Sequence, residues 1–271
     1  MILSIEGDEK TGKTTMAYTA PLKIVGFQFD MGAERALYGA RFDRYFKGLR
    51  INIVTYPGPG KMPETTFEAD ITIFELPLPI QIDSIEVAGA RELWDYFLVG
   101  LGAALRDTSV HSIVVDTMTL ARRIKADAYL QGLQEKDKAK KERIRERLQE
   151  IEYGRPNDAI REIYTAAAGT RKNLIALHHL KDERAESIGA DGKVVRQITG
   201  KKLLEGLNNT YRFVDVALRM KTNSATIQAT IVSCGYSLDL KEFVLPETDW
   251  NTLMQIIGDT VGGRVQLELR E

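Results

Sequence analysis

Near the N-terminus, Gly7-Asp8-Glu9-Lys10-Thr11-Gly12-Lys13-Thr14 has the spacing G-x-x-x-x-G-K-[ST]. That spacing lets a glycine-rich turn wrap a chain of phosphates. Gly7 and Gly12 permit the tight turns that aim backbone N–H groups at phosphate oxygens. The Lys13 ammonium is placed to meet the β- and γ-phosphates, and the Thr14 hydroxyl suits a Mg²⁺ ion. Asp8, Glu9, Lys10, Thr11 and Thr15 complete the expected contact surface, and a helix beginning near Gly12 is expected to add the positive end of its dipole. ATP and Mg²⁺ are the cofactors this chemistry calls for.

Such a loop needs a carboxylate for the metal. Ser112-Ile113-Val114-Val115-Asp116 reads as a buried strand ending in one, and Asp116 is the expected second Mg²⁺ partner beside Thr14. A residue that orients the attacking water is also needed. Asp30 and Glu34 both follow the strand ending Phe27-Gln28-Phe29, which is expected to adjoin the phosphate-loop strand. Glu34 is preferred for its longer reach, with Asp30 second. His178 and His179 end the strand Leu174-Ile175-Ala176-Leu177, expected between the strands of the loop and of Asp116. Adjacent strand residues point to opposite faces, which disfavours a shared metal and leaves one histidine free to face the γ-phosphate.

These residues must be held by a regular scaffold. Strands are expected at Ile2–Glu6, Ile24–Asp30, Ile51–Thr55, Ile71–Glu75, Ser112–Asp116 and Leu174–His178, with a closing pair at Asp215–Met220 and Thr226–Ser233. Helices are expected at Thr14–Ala20 (stopped by Pro21), Ala90–Leu105, most of Leu120–Glu152, and Asn157–Arg171. Strands separated by helices predict an α/β fold: a mainly parallel, doubly wound sheet with helices on both faces.

The chain has 271 residues, 44% hydrophobic and 28% charged, enough to bury a full core. Its net charge of -1 gives no global signature of a nucleic-acid binder. The single cysteine, Cys234, allows no disulfide within the chain and fits a reducing compartment. The start Met1-Ile2-Leu3-Ser4-Ile5-Glu6 lacks a basic leader, and the apolar stretch Leu93–Leu105 is too short to span a bilayer. A cytoplasmic location is expected. The charged stretch Glu135–Glu152 reads as an exposed helix with i, i+4 pairs such as Asp137–Lys141. From Arg171 to Lys202, eight Lys and Arg stand against four Asp and Glu, a local excess of positive charge.

Taken together, the loop motif, Phe29-Asp30-Met31-Gly32-Ala33-Glu34, the Asp116-Thr117 strand end, Asn173–Glu183 and Val214–Arg219 resemble the RecA-like P-loop ATPases. The resemblance runs from about Met1 to Ser233 and is nearest the small phage-encoded branch linked to recombination and single-strand annealing. It implies one RecA-like ATPase domain over 1–271, with a core at about 1–233 and an extension at 234–271. It implies Lys13, Glu34, Asp116 and His179 as the catalytic set, His179 being the γ-phosphate sensor ahead of Leu180-Lys181. It further implies a DNA-binding loop over Asp182–Gly200, turning at Gly189-Ala190-Asp191-Gly192, with Lys181, Arg184, Lys193, Arg196, Lys201 and Lys202 as candidate contacts. Arg219 and Lys221 are then candidates to reach a neighbouring subunit's ATP. Single-stranded DNA, a homo-oligomer and a single-strand-binding protein are the implied partners, and no membrane. The alternatives are a ring-forming helicase-type motor on the same core, or a P-loop small-molecule kinase.

Overall fold

In the computed structural model, residues 1–38, 43–81, 84–188, 194–207, 209–223, 226–265 and 267–270 are described. Ile2–Gly7 (β1) is buried at every position, as are Ile24–Gln28 (β2), Ser112–Asp116 (β5) and Asn173–His178 (β6). Strands this apolar have no face to offer water, so both faces must be covered. They pair with Ile51–Thr55 (β3), Ile71–Glu75 (β4), Val216–Asn223 (β9) and Thr226–Cys234 (β10) in one eight-stranded sheet, ordered β10-β9-β1-β6-β5-β2-β4-β3. Only β10 runs antiparallel in this sheet.

Alternation along each strand divides the core in two. Ile2, Ile113, Val115, Leu174 and Ala176 face the helices Ala90–Arg106 (α4), Met118–Ala139 (α5) and Gly154–Gly169 (α6). Leu3, Ile5, Val114, Ile175 and Leu177 face the other way. There they meet Lys13–Ala17 (α1), Ala33–Leu37 (α2), Asp43–Phe46 (α3) and Trp250–Thr260 (α7). On α4, Phe97 packs edge-on against both Phe27 and Phe29, and Leu93 and Trp94 are buried in the same core. Each such side chain contributes roughly 1.5–3 kcal/mol relative to an exposed one.

The tail packs onto the second core. Asp249 caps α7 by accepting from Thr252 N–H at 2.9 Å. Trp250 donates to the Glu268 carbonyl at 2.7 Å, and Arg270 donates to the carbonyls of Tyr18 and Tyr45 at 2.6 and 2.9 Å.

Several elements differ from expectation. β2 lies beside β5 and β4, three places from β1, so Asp30 and Glu34 do not follow a strand adjoining the phosphate loop. The first helix ends at Ala17, ahead of Pro21, where the Thr19 hydroxyl takes the Met16 carbonyl at 2.7 Å. The long charged helix stops at Ala139, because Lys141 is left-handed at φ 58°. Asp137 therefore pairs with Arg145 at 2.9 Å rather than with Lys141, and Arg145 also reaches Glu152 at 2.8 Å. The expected loop at Asp182–Gly200 is instead an antiparallel hairpin of Leu180–Ile188 (β7) and Val194–Leu204 (β8). The turn Gly189-Ala190-Asp191-Gly192, Lys193 and the Arg196 side chain lie outside the described residues.

Candidate functional site

β1 carries the loop at its C-terminal end, in the middle of the sheet. Only glycine fits at position 7: a Cβ there would sit 2.6 Å from the Met220 carbonyl oxygen and 2.8 Å from Thr11 Oγ1. Gly12 has φ 81°, the left-handed turn that opens α1. Because α1 has only five residues, its dipole is short, and the loop's own N–H groups and Lys13 supply most of the positive field. Lys13 is buried, and its ammonium donates to the carbonyls of Gly7 and Asp8 at 2.9 and 2.6 Å. Burial lowers its pKa, against the pull of Asp116, Asp30, Asp8 and Glu9. Thr15 donates to the Ala36 carbonyl at 3.2 Å, so its hydroxyl ties α1 to α2. Asp8, Glu9 and Lys10 are exposed along the loop, and the Thr11 hydroxyl donates to the Asp8 carbonyl at 2.9 Å.

Asp116 ends β5, one strand beyond β6. The Thr14 hydroxyl donates to its Oδ2 at 2.6 Å, and its Oδ1 is buried with no hydrogen-bond partner. Asp116 does not cap α5; Thr117 does, accepting from Leu120 N–H at 3.2 Å. Burial, then Asp30, pushes the Asp116 carboxyl up to about 7. A buried carboxylate oxygen without a partner beside a threonine hydroxyl fits Mg²⁺, which takes one or two carboxylates, keeps waters and binds phosphate. Among the described residues no group of three or more His, Cys, Asp or Glu is arranged to hold a metal by itself.

Asp30 follows β2 and accepts from Gly32 N–H at 3.2 Å. Desolvation raises its pKa, while Gly32, His179 and Lys13 hold it down. Its residue is exposed at the tip of β2, whereas Asp116 is buried. Glu34 sits exposed on the first turn of α2, and no contact joins it to Lys13 or Asp116 among the described residues. The two histidines divide as adjacent strand residues must. His178 is buried against the Tyr164 hydroxyl at 3.2 Å, and desolvation lowers its pKa to about 3, so the ring is neutral. His179 is half-buried at the turn into β7, within electrostatic reach of Asp30. Thr119 accepts from His179 N–H at 3.1 Å and donates to the Glu205 carbonyl at 2.9 Å, which pins both ends of the hairpin to the start of α5.

The hairpin's cations are not equivalent. Lys202 pairs with Asp182 at 3.0 Å and lies 3.8 Å from Asp8 of the phosphate loop. Lys181, Arg184 and Lys201 are exposed. Arg219 is held within its own chain: it donates to Glu6 Oε1 at 2.6 Å, and Tyr211 donates to the same carboxylate's Oε2 at 2.7 Å. Lys221, two residues on, is exposed. Sequence reasoning passed over Glu6. The signal was a charge ending the otherwise apolar run Ile2–Ile5, and pairing of β1 with β9 sets it opposite Arg219.

A parallel sheet with a phosphate loop on a central strand, a carboxylate two strands away and a polar strand end between them defines the RecA-like class of P-loop ATPases. A family model described as an AAA domain matches residues 1–245, and the chain belongs to that family. Solved structures that this chain is similar to include two. One is a prototypical ATPase from the type III secretion system of pathogenic bacteria, at 12% identity and a TM-score of 0.42, covering 81% of this chain and 51% of that one. The other is a KaiC-like protein from the hyperthermophilic archaeon Pyrococcus horikoshii OT3, at 14% identity and a TM-score of 0.35, covering 85% and 76%. This chain thus spans about half the length of the secretion ATPase. No curated protein sequence matches it. No helix among the described residues is long and apolar enough to cross a membrane.

Proposed function

We propose that this chain binds and hydrolyses ATP with Mg²⁺ and uses the β7–β8 hairpin to act on single-stranded DNA, as a homo-oligomer in phage recombination or single-strand annealing. The observation that carries the ATPase reading is the meeting of Lys13, Thr14 and the unpartnered Oδ1 of Asp116 at one sheet edge. Lys13 and the loop N–H groups hold the phosphates, and Thr14 with Asp116 holds the ion, which when bound neutralises charge on the phosphate oxygens. Asp30 is the preferred residue to orient water, because it shares the electrostatic neighbourhood of Lys13, Asp116 and His179.

Two features support the DNA reading. The hairpin springs from His179 at the γ-phosphate end, and Lys202 reaches from it to Asp8. The local excess of positive charge from Arg171 to Lys202 supplies an electrostatic footprint. The paired Arg219 leaves exposed Lys221 as the simpler residue to reach a neighbouring subunit.

ATP turnover measured alone, with single-stranded DNA, with duplex DNA and with small phosphate acceptors tests this reading. Turnover is expected to rise with single-stranded DNA, and Lys13→Ala to lower it by roughly 10²-fold or more, the scale of a lost electrostatic stabiliser. Stimulation by a small acceptor instead of DNA would favour a kinase.

A further inference from the structure

A cavity of about 470 Å³ lies between α4 and α5, on the face of the sheet away from α1 and the phosphate loop. That volume falls within the roughly 300–1,000 Å³ range of small-ligand pockets. No residue of the phosphate loop or of its metal site lines it. Arg91 and Trp94 of α4 form one wall, and Lys125, Ala128, Gly132 and Leu133 of α5 form the other.

Three features of these walls have no cause within the chain. The Trp94 indole N–H is buried with no hydrogen-bond partner among the described residues. A buried indole donor normally has one, and leaving it unmade costs about 1–3 kcal/mol. The Lys125 ammonium rests 5.0 Å from the centre of the same indole ring, with no carboxylate in ion-pair contact among the described residues. Burial lowers its pKa, against the pull of Asp95 and Glu162. Gly132 sits in the interior of α5, where glycine costs about 1 kcal/mol relative to alanine. No close approach of the chain requires it, since a Cβ there would meet nothing within 4 Å. A glycine bordering open space on a cavity wall leaves room for a molecule from outside.

The charges select that molecule. An acceptor carrying one negative charge would satisfy both the ammonium and the indole donor. Asp95 and Glu135 also line the cavity and would repel a second charge, which disfavours a phosphate dianion. Arg91 is already committed: it holds Glu135 through hydrogen bonds of 2.7 and 2.9 Å, which tie the two walls together. Trp94, Ala128 and Leu133 offer apolar surface to a carbon body.

We propose that this cavity is a ligand site separate from the phosphate loop, taking a small organic acid whose single carboxylate accepts from Lys125 and from the Trp94 indole N–H, and whose apolar body lies over Gly132. The inference does not depend on the nucleotide reading.

Nuclear magnetic resonance titrations that follow the indole N–H signals test it, because Trp94 and Trp250 are the chain's two tryptophans and Trp94→Phe assigns them. The probes are phenylacetate, uncharged phenylacetamide, and acetate, which lacks the apolar body. Phenylacetate is expected to move the Trp94 signal and leave that of Trp250. Phenylacetamide is expected to bind more weakly by about tenfold or more, the scale of a lost charge-assisted hydrogen bond, and Lys125→Met to weaken phenylacetate by as much. Acetate is expected to bind more weakly than phenylacetate. Gly132→Leu fills the space, so it should abolish the shift while the melting temperature holds or rises, because leucine favours the helix. A lower melting temperature in that variant would give Gly132 a structural role and overturn the proposal. So would equal binding of phenylacetate and its amide, an unmoved Trp94 signal, or unchanged binding in Gly132→Leu. Tighter binding of the peptide Gly-Gly-Phe than of phenylacetate would overturn the small acid in favour of a peptide C-terminus.

Discussion

At the scale of single residues, the site is governed by how much water each charge has lost. Asp116 and Asp30 are both carboxylates near Lys13, yet Asp116 is buried and Asp30 is open. Asp116 therefore takes a proton near pH 7, well above the ordinary carboxylate range. The sign of the pH effect follows from linkage. The folded carboxyl binds its proton more tightly than the unfolded one, so stability falls as pH rises from the ordinary carboxylate range to about 7. Mg²⁺ needs the ionised form, so its affinity is expected to rise over the same window. Thermal melts from pH 5 to 8 with and without Mg²⁺ check both trends. Asp116→Asn should flatten the pH dependence, raise the melting temperature of the metal-free protein by a few degrees at pH 8, and remove the Mg²⁺ effect. An unchanged pH profile in that variant would mean another group titrates. For the water-orienting residue, Asp30→Asn should lower turnover by roughly 10²–10⁴-fold with ATP affinity kept, and Glu34→Gln by far less. The opposite order in single-turnover assays would return the role to Glu34.

At the scale of elements, the β7–β8 hairpin is the part whose form matters most for the DNA reading. A hairpin holds its cations in register, as Lys202 opposite Asp182 illustrates, whereas a loop would not. Three exposed cations, Lys181, Arg184 and Lys201, are the ones to reverse. If each neutralises a phosphate, the logarithm of single-strand affinity should fall with log salt at about -0.7 per contact. The triple change to Glu should flatten that slope by about 2 and leave basal ATP turnover nearly intact, since the phosphate loop is built from other segments. A salt titration of single-strand binding decides it, and an unchanged slope would place the contacts elsewhere.

At the scale of the whole molecule, the tail closes the second core. Trp250 is 1% exposed, its backbone N–H donates to Thr19 at 2.9 Å, and its indole donates to Glu268. Trp250→Ala should cost about 3–5 kcal/mol, the usual range for emptying a large aromatic site. Urea unfolding would measure it as a lower midpoint with little change in slope. A stability loss below about 1 kcal/mol would mean that the tail is dispensable to the core.

How much of this was legible in the sequence depends on how local the cause is. Gly7, Gly12, Lys13 and Thr14 announce the phosphate loop because their backbone freedom and side-chain chemistry act within eight residues. The strands Ser112–Asp116 and Ile71–Glu75 were legible because a strand covered on both faces reads as a near-continuous apolar run, and Ile51–Thr55, half-exposed at the sheet edge, because β-branched Ile51, Ile53, Val54 and Thr55 favour extended backbone. Strand order was not, since apolar strands of matching polarity do not name their neighbours, and only the assembled sheet sets β2 three places from β1. The hairpin was missed because its polar, glycine-bearing sequence reads as loop, while its stability comes from cross-strand pairing and the Thr119 anchor. Glu6 with Arg219, Asp30 with Asp116, and Arg44 with Glu247 are each far apart in the chain. Whether such charges meet, and how much water they lose in meeting, is decided by packing between distant segments, which no local pattern encodes.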